Sequence, residues 1–139
     1  MDEAKKADEA RRNDLDAPLL GVPIALKDMY ITKGLRTTAA SNVLRDYIPQ
    51  YDATTVKKLK DAGAVILGKV NLDAWAHGSS GENPDFGPTK NPWNTEYVPG
   101  GSSSGSATSV ASNMALAATG TDTGGSIRLP ASFTNTVGL

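Results

Sequence analysis

An α/β sheet with helices on its faces is predicted by three observations. The apolar run Leu19 to Ile31, a helical stretch after Asp52 and a second extended run from Ala64 to Gly68 form a strand, helix, strand succession. Small residues from Ser104 to Thr119 keep helical character and suit close packing. No internal repeat competes with a layered domain.

Each element has its own signal. Residues 2–13 are strong helix formers with Ala4, Ala7 and Ala10 on one narrow face, too little apolar area for that helix to stand alone. Leu19 to Ile31 reads as a buried strand and its exit, with Pro23 near the start, where a missing amide is tolerable. Asp52 is placed to cap a helix carrying Val56 and Leu59, and Gly63 to end it before the strand 64–68. Asn71 can cap a short helix through Trp75, and residues 78–101, rich in Gly, Pro and Asn, read as a long loop.

Composition narrows the chemistry. With no cysteine, the chain has no thiol nucleophile, disulfide or thiolate metal site, and its single histidine, His77, cannot build a multi-histidine cluster. Serine, lysine and carboxylates remain. A net charge of −1 gives no footprint for nucleic acid, so contact with RNA is expected only through a partner. No apolar run approaches the ~20 residues of a membrane span, and the charged start is unlike a signal peptide. The expectation is a soluble protein of the cytoplasm, or of an organellar matrix in a eukaryote. The final run Asn135 to Leu139 has no polar tail to finish it and reads as a truncation.

The last third carries two Gly/Ser tracts, Pro99 to Ala107 and Gly120 to Ser126. A flexible linker has this composition, but it has no need of Asp122, Arg128 and Pro130 at fixed offsets. A phosphate loop shares the spacing of Gly100 and Gly105, yet Ser106 stands where its lysine belongs. The third reading is a nucleophile, Ser126, among free backbone amides. It needs a base. His77, in Ala76-His77-Gly78-Ser79, carries no distinctive signature and reads as a loop histidine. Lys27 interrupts an apolar strand, where a lysine is costly unless paired or neutral, and strand alternation sends Asp28 to the other side. To act as a base, its pKa must fall from ~10.4 to near 7, at about 4 kcal/mol, which desolvation can supply. A lysine snorkelling from the strand end is the plain alternative.

The three motifs Gly21-Val22-Pro23-Ile24-Ala25-Leu26-Lys27-Asp28, Gly101-Ser102-Ser103 and Gly120-Thr121-Asp122-Thr123-Gly124-Gly125-Ser126-Ile127-Arg128-Leu129-Pro130-Ala131, in that order, resemble the amidase signature family. The resemblance spans nearly the whole chain. It implies a mixed β-sheet core covered by helices on both faces, and a Ser-Ser-Lys catalytic set: Ser126 as nucleophile, Ser102 as bridging serine after a cis Gly101–Ser102 peptide, and Lys27 as general base. The family's spacing selects Ser102 over Ser103. Thr123, Gly124 and Gly125, with the Ser126 amide, are the implied oxyanion hole, and Asp122 and Arg128 read as a bracing pair. Ser104 stands where the family usually has glycine. Asn135 can take the left-handed conformation that a glycine would hold.

The stretches Trp75 to Asn83 and Phe86 to Trp93 are most similar to the family's glutamine-hydrolysing subunits of tRNA-dependent amidotransferases. That implies ammonia passed to subunits B and C of a heterotrimer, with ATP and magnesium serving the partner, tRNA touched only through it, and no cofactor or metal in this chain. It also implies that residues 1–139 are the N-terminal part of a single domain truncated at both ends, with the grip on glutamine in the missing part. Hydrolysis of another small amide, and an inactive fragment or interaction module, remain open beside this reading.

Overall fold

The computed structural model describes residues 2–13 and 16–139. Its centre is a sheet of three parallel strands, β1 (Pro23–Lys27), β2 (Val65–Val70) and β3 (Ala117–Ala118), in the order β2-β1-β3. Among the described residues four helices accompany them, α1 (Asp2–Arg12), α2 (Thr54–Asp61), α3 (Ser104–Ala111) and α4 (Arg128–Thr134). Both strand pairings are parallel, because helical crossovers return the chain to the same edge direction, so these three strands do not show the mixed character expected of the whole sheet.

Strand alternation on β1 assigns its two faces. Ile24 and Leu26 pack with Val56 of α2 and Ala64 into an apolar cluster joined by Leu19, Val22, Leu59 and Ile66. Leu26 and Val56 are fully buried, each removing apolar surface worth about 1.5–3 kcal/mol. Ala25 and Lys27 therefore point to the opposite face, where α3 packs. The two helical layers follow from a five-residue strand that is apolar on both sides except for Lys27.

Several boundaries differ from the sequence reading. The first strand is shorter than Leu19 to Ile31: residues 19–22 form a turn closed by Val22 N–H donating to Leu19 O, and the chain turns again when Met29 N–H donates to Lys27 O. Pro23 opens the strand as expected. Asp52 does not cap α2. Ala53 occupies that position, while the Asp52 carboxylate accepts from Lys33 N at 2.7 Å and Lys60 Nζ at 2.8 Å. Gly63, at φ +88°, ends the helical turn as expected. Strand β2 runs on to Val70 because Lys69 and Val70 pair with Leu26 and Lys27 past a bulge between Ile24 and Ala25 of β1.

Asn71 caps no α-helix. Its amide donates to Gly87 O and Thr89 Oγ1, and only a 3₁₀ turn, Ala74–Ala76, follows. The small-residue helix stops at Ala111, not Thr119: Asn113 takes a left-handed φ of 56°, and the chain returns to lay β3 beside β1. Asn135 adopts the left-handed conformation expected of it, at φ 57°. Helix α1 is anchored at three points on the sheet side, through buried Ala7, Glu3 Oε2 accepting from Ile66 N at 2.9 Å, and Arg11 donating to Leu20 O at 3.2 Å. Among the described residues no helix is long and apolar enough to cross a membrane.

Candidate active site

Lys27 closes β1 and is wholly shielded, at 0% exposure. Its Nζ lies 2.8 Å from Ser102 Oγ, 2.9 Å from Ser103 Oγ and 2.8 Å from Thr121 Oγ1. The serines come from the loop entering α3 and the threonine from the loop after β3, so the centre is assembled from three distant segments. Burial pushes the ammonium down from 10.5 to about 8, against the attraction of the Asp73 and Asp122 carboxylates. The snorkelling alternative fails on this geometry, since the head group ends among hydroxyls inside the protein.

The Gly101–Ser102 peptide is cis, and Ser102 is fully buried. Beneath it lies Asp73, also fully buried, whose amide donates to Ser102 O at 3.0 Å. The Asp73 carboxylate accepts from Gly81 N at 3.0 and 3.1 Å. A Cβ on Gly101 would collide with Asp73 Oδ2, which is why only glycine fits there. Asp73 holds the floor of the centre, and sequence reasoning missed it: its one local sign is an acid close behind an apolar strand. Ser103 and Thr121 were legible as motif members but not as lysine partners.

Ser126 sits in the loop before α4, half-buried, and its carbonyl accepts from Ser103 N at 3.0 Å. This ties the 102–103 segment to the 126 segment through the backbone. Among the described residues Ser102 Oγ meets Lys27 Nζ, and no hydrogen bond joins it to Ser126 Oγ. Such contacts commonly tighten only when substrate is bound.

Asp122 organises the loop around Ser126. Its carboxylate accepts from the amides of Gly125 at 2.7 Å, Ile127 at 3.0 Å and Arg128 at 3.2 Å, and from the Arg128 guanidinium at two atoms, each 3.0 Å. The bracing pair is therefore present, and the guanidinium with these amides holds the Asp122 carboxyl well below the usual carboxylate range. Of the amides expected to line an oxyanion hole, Gly125 N–H is committed to Asp122. Those of Thr123, Gly124 and Ser126 donate to no described residue.

His77 lies exposed in a loop, its amide donating to Ala74 O and its carbonyl accepting from Asn83. No group of three or more His, Asp or Glu side chains able to hold a metal gathers among the described residues. A largely apolar cavity of about 860 Å³ borders the hydroxyl cluster through Ser103 and runs along α3 and α4.

The Amidase family model matches residues 1–139. The chain is 63% identical over 123 residues to the glutamyl-tRNA(Gln) amidotransferase A-subunit of Geobacter metallireducens, covering 88% of this chain and 25% of the relative. It is 58% identical over 139 residues to the protein of that name from Desulforapulum autotrophicum, covering 100% of this chain and 28% of the relative. Among solved structures it is similar to the glutamyl-tRNA(Gln) amidotransferase A-subunit of Thermotoga maritima, with a TM-score of 0.80 and 56% identity over 82% of this chain and 25% of that one. The peptide amidase of Stenotrophomonas maltophilia gives a TM-score of 0.90 at 44% identity, over 96% of this chain and 28% of that one. The chain thus spans 25–28% of the length of these relatives.

Proposed function

Because the chain belongs to the amidase family, we propose that it carries the bond-breaking centre of an amide hydrolase working through Ser126, Ser102 and Lys27. The observation that carries the reading is the 2.8 Å contact between a fully buried Lys27 and Ser102 Oγ. With its pKa near 8, about a tenth of Lys27 is neutral at pH 7. Neutral Lys27 takes the Ser102 proton while Ser102 Oγ takes the Ser126 proton, and Ser126 Oγ forms a bond to the amide carbonyl carbon. The amides of Thr123, Gly124 and Ser126 stabilise the oxyanion, each worth about 10²- to 10³-fold if well aimed. Gly125 joins them only if its bond to Asp122 loosens. The relay run in reverse protonates the leaving nitrogen, the C–N bond breaks, and ammonia departs from an ester on Ser126. Water then hydrolyses the ester through the same relay, releasing the carboxylate.

The finer reading is a glutaminase subunit that feeds ammonia to subunits B and C of a heterotrimer, converting Glu-tRNA(Gln) to Gln-tRNA(Gln). It is supported by the identities of 63% and 58% to glutamyl-tRNA(Gln) amidotransferase A-subunits. The net charge of −1 agrees with leaving tRNA to the partner, which would also use ATP and magnesium; work in the cytoplasm or an organellar matrix belongs to the same reading. The likeness to a peptide amidase supports a second reading, hydrolysis of another small amide.

A fluorophosphonate probe on the full-length protein tests the shared chemistry. Labelling and glutamine hydrolysis should both vanish in Ser126→Ala. A folded protein with no Ser126-dependent labelling would overturn the catalytic reading in favour of an inactive interaction module. Turnover of peptide amides without turnover of glutamine would select the second reading.

A further inference from the structure

An ammonium has three N–H donors, whereas a neutral amine has two and a lone pair. Lys27 Nζ meets three hydroxyl oxygens, so once neutral it accepts a hydrogen bond from one of them while donating to the other two. Which hydroxyl gives its proton is decided by what each already does. Ser103 Oγ donates to Thr121 O at 3.3 Å and accepts from Thr121 N at 3.3 Å, so its proton is engaged elsewhere. Thr121 Oγ1 donates to Met29 Sδ at 3.2 Å. Ser102 Oγ has no other acceptor among the described residues.

From these proton assignments we propose that Ser103 and Thr121 are positioning residues, which take the two N–H groups of neutral Lys27 and so aim its lone pair at Ser102 Oγ. The proposal rests on the reading of Lys27 as the base. Without the two fixed acceptors the amine could rotate among three hydroxyls, and only one orientation withdraws a proton from the bridging serine. Met29 belongs to the same device, because its sulfur occupies the Thr121 proton. Both outer contacts are weak, a thioether acceptor at 3.2 Å on the threonine side and a long 3.3 Å bond to a backbone carbonyl on the Ser103 side.

The charges facing Lys27 are the carboxylates of Asp73 and Asp122. Helix α3 presents no ionisable side chain, and Lys69 of β2 is engaged by Asp28 on the other face. Tyr30, just past β1, gives its hydroxyl to Gly120 O at 2.7 Å. Neither hydroxyl change proposed below adds or removes a formal charge in this set.

The test uses Thr121→Val, Ser103→Ala and Thr121→Ser in the full-length protein, with kcat and KM measured across pH and Lys27 followed by NMR of ¹³Cε-labelled lysine. Thr121→Val should lower kcat roughly tenfold at unchanged KM. It should also move the Lys27 titration to lower pH, because the ammonium loses one of three acceptors. Thr121→Ser should restore both, and Ser103→Ala should shift both in the direction of Thr121→Val. An unmoved kcat and titration in Thr121→Val and Ser103→Ala would overturn the proposal. So would a loss of kcat with no movement of the titration and no rescue by serine, since that marks a packing defect. If Thr121→Val does not fold, Ser103→Ala decides by the same criteria. Full activity in Lys27→Ala would instead sink the base reading, while the NMR titration would still report whether the hydroxyls hold the amine.

Discussion

Lys27 and Asp28 are chain neighbours that belong to different neighbourhoods: Lys27 ends among hydroxyls on the α3 face, while Asp28 Oδ1 lies 3.1 Å from Lys69 Nζ on the other. Lys69 also donates to Tyr30 O and Thr37 Oγ1, each at 2.7 Å, and the other Asp28 oxygen accepts from the Thr38 amide and hydroxyl. The pair thus ties β2 to the loop that leaves β1. Lys69→Met should strand the buried Asp28 oxygen and cost about 2–4 kcal/mol of folding stability, read as a lower denaturant midpoint at unchanged slope. An unshifted midpoint would show that solvent replaces the lysine.

The proposed base sets the pH dependence. Activity should climb with pH through a single limb near 8 and level off above it, because only the neutral amine takes a proton. The limb should not come from Asp122, whose carboxyl is held far lower and stays ionised as pH falls. A limb near 6 or below would contradict the assignment.

Lys27→Ala should lower kcat at least several hundred-fold. The same change should not harm folding in the way an ordinary truncation does. A folded lysine held below its unfolded pKa is a cost while both states are charged, that is below about 8, and the cost fades as pH rises from there toward ~10.4. Removing the side chain lifts that cost and leaves a cavity instead, so the comparison with wild type should worsen for the variant between pH 7 and 10. Thermal melts across that range check it.

Gly101→Ala drives a methyl into the Asp73 carboxylate. The Asp73 carboxylate cannot turn aside without giving up Gly81 N. Stability should fall by about 3 kcal/mol or more, with loss of fluorophosphonate labelling even in the molecules that remain folded. Retained labelling would mean that the floor can yield.

The brace around Ser126 separates its two partners by experiment. Asp122→Ala removes the acceptor of three backbone amides at once, whereas Arg128→Ala removes only one exposed arm. The aspartate change should cost kcat far more than the arginine change, by at least about tenfold. Equal effects would make the guanidinium, not the carboxylate, the organiser.

The meeting of Lys27 with Ser102 was legible because both sit in unusual sequence, a lysine within an apolar strand and a serine in a glycine-rich turn. Helix ends were less so. Asp52 has the chemistry of a cap but sits one residue early, and the Lys33 amide, brought in by the fold, takes its oxygen. Ala is a good helix former, yet the stretch after Ala111 gives up helix so that Ala117 and Ala118 can pair with Ile24 and Ala25. Asp73 was missed for a related reason: Gly81 is eight residues away along an irregular loop and the Ser102 backbone twenty-nine, so neither partner falls at a helical or strand spacing from it.

The central place of β1 makes the centre a late product of folding. Among the described residues every side-chain hydrogen bond of Lys27 reaches across 75 positions or more. No helix or hairpin formed early brings these groups together, and the loop-closure entropy of all three links must be met by the sheet. Probe labelling at Ser126 and protection of the β1 amides from hydrogen exchange should therefore emerge in the same kinetic phase, after helical signal has begun to grow.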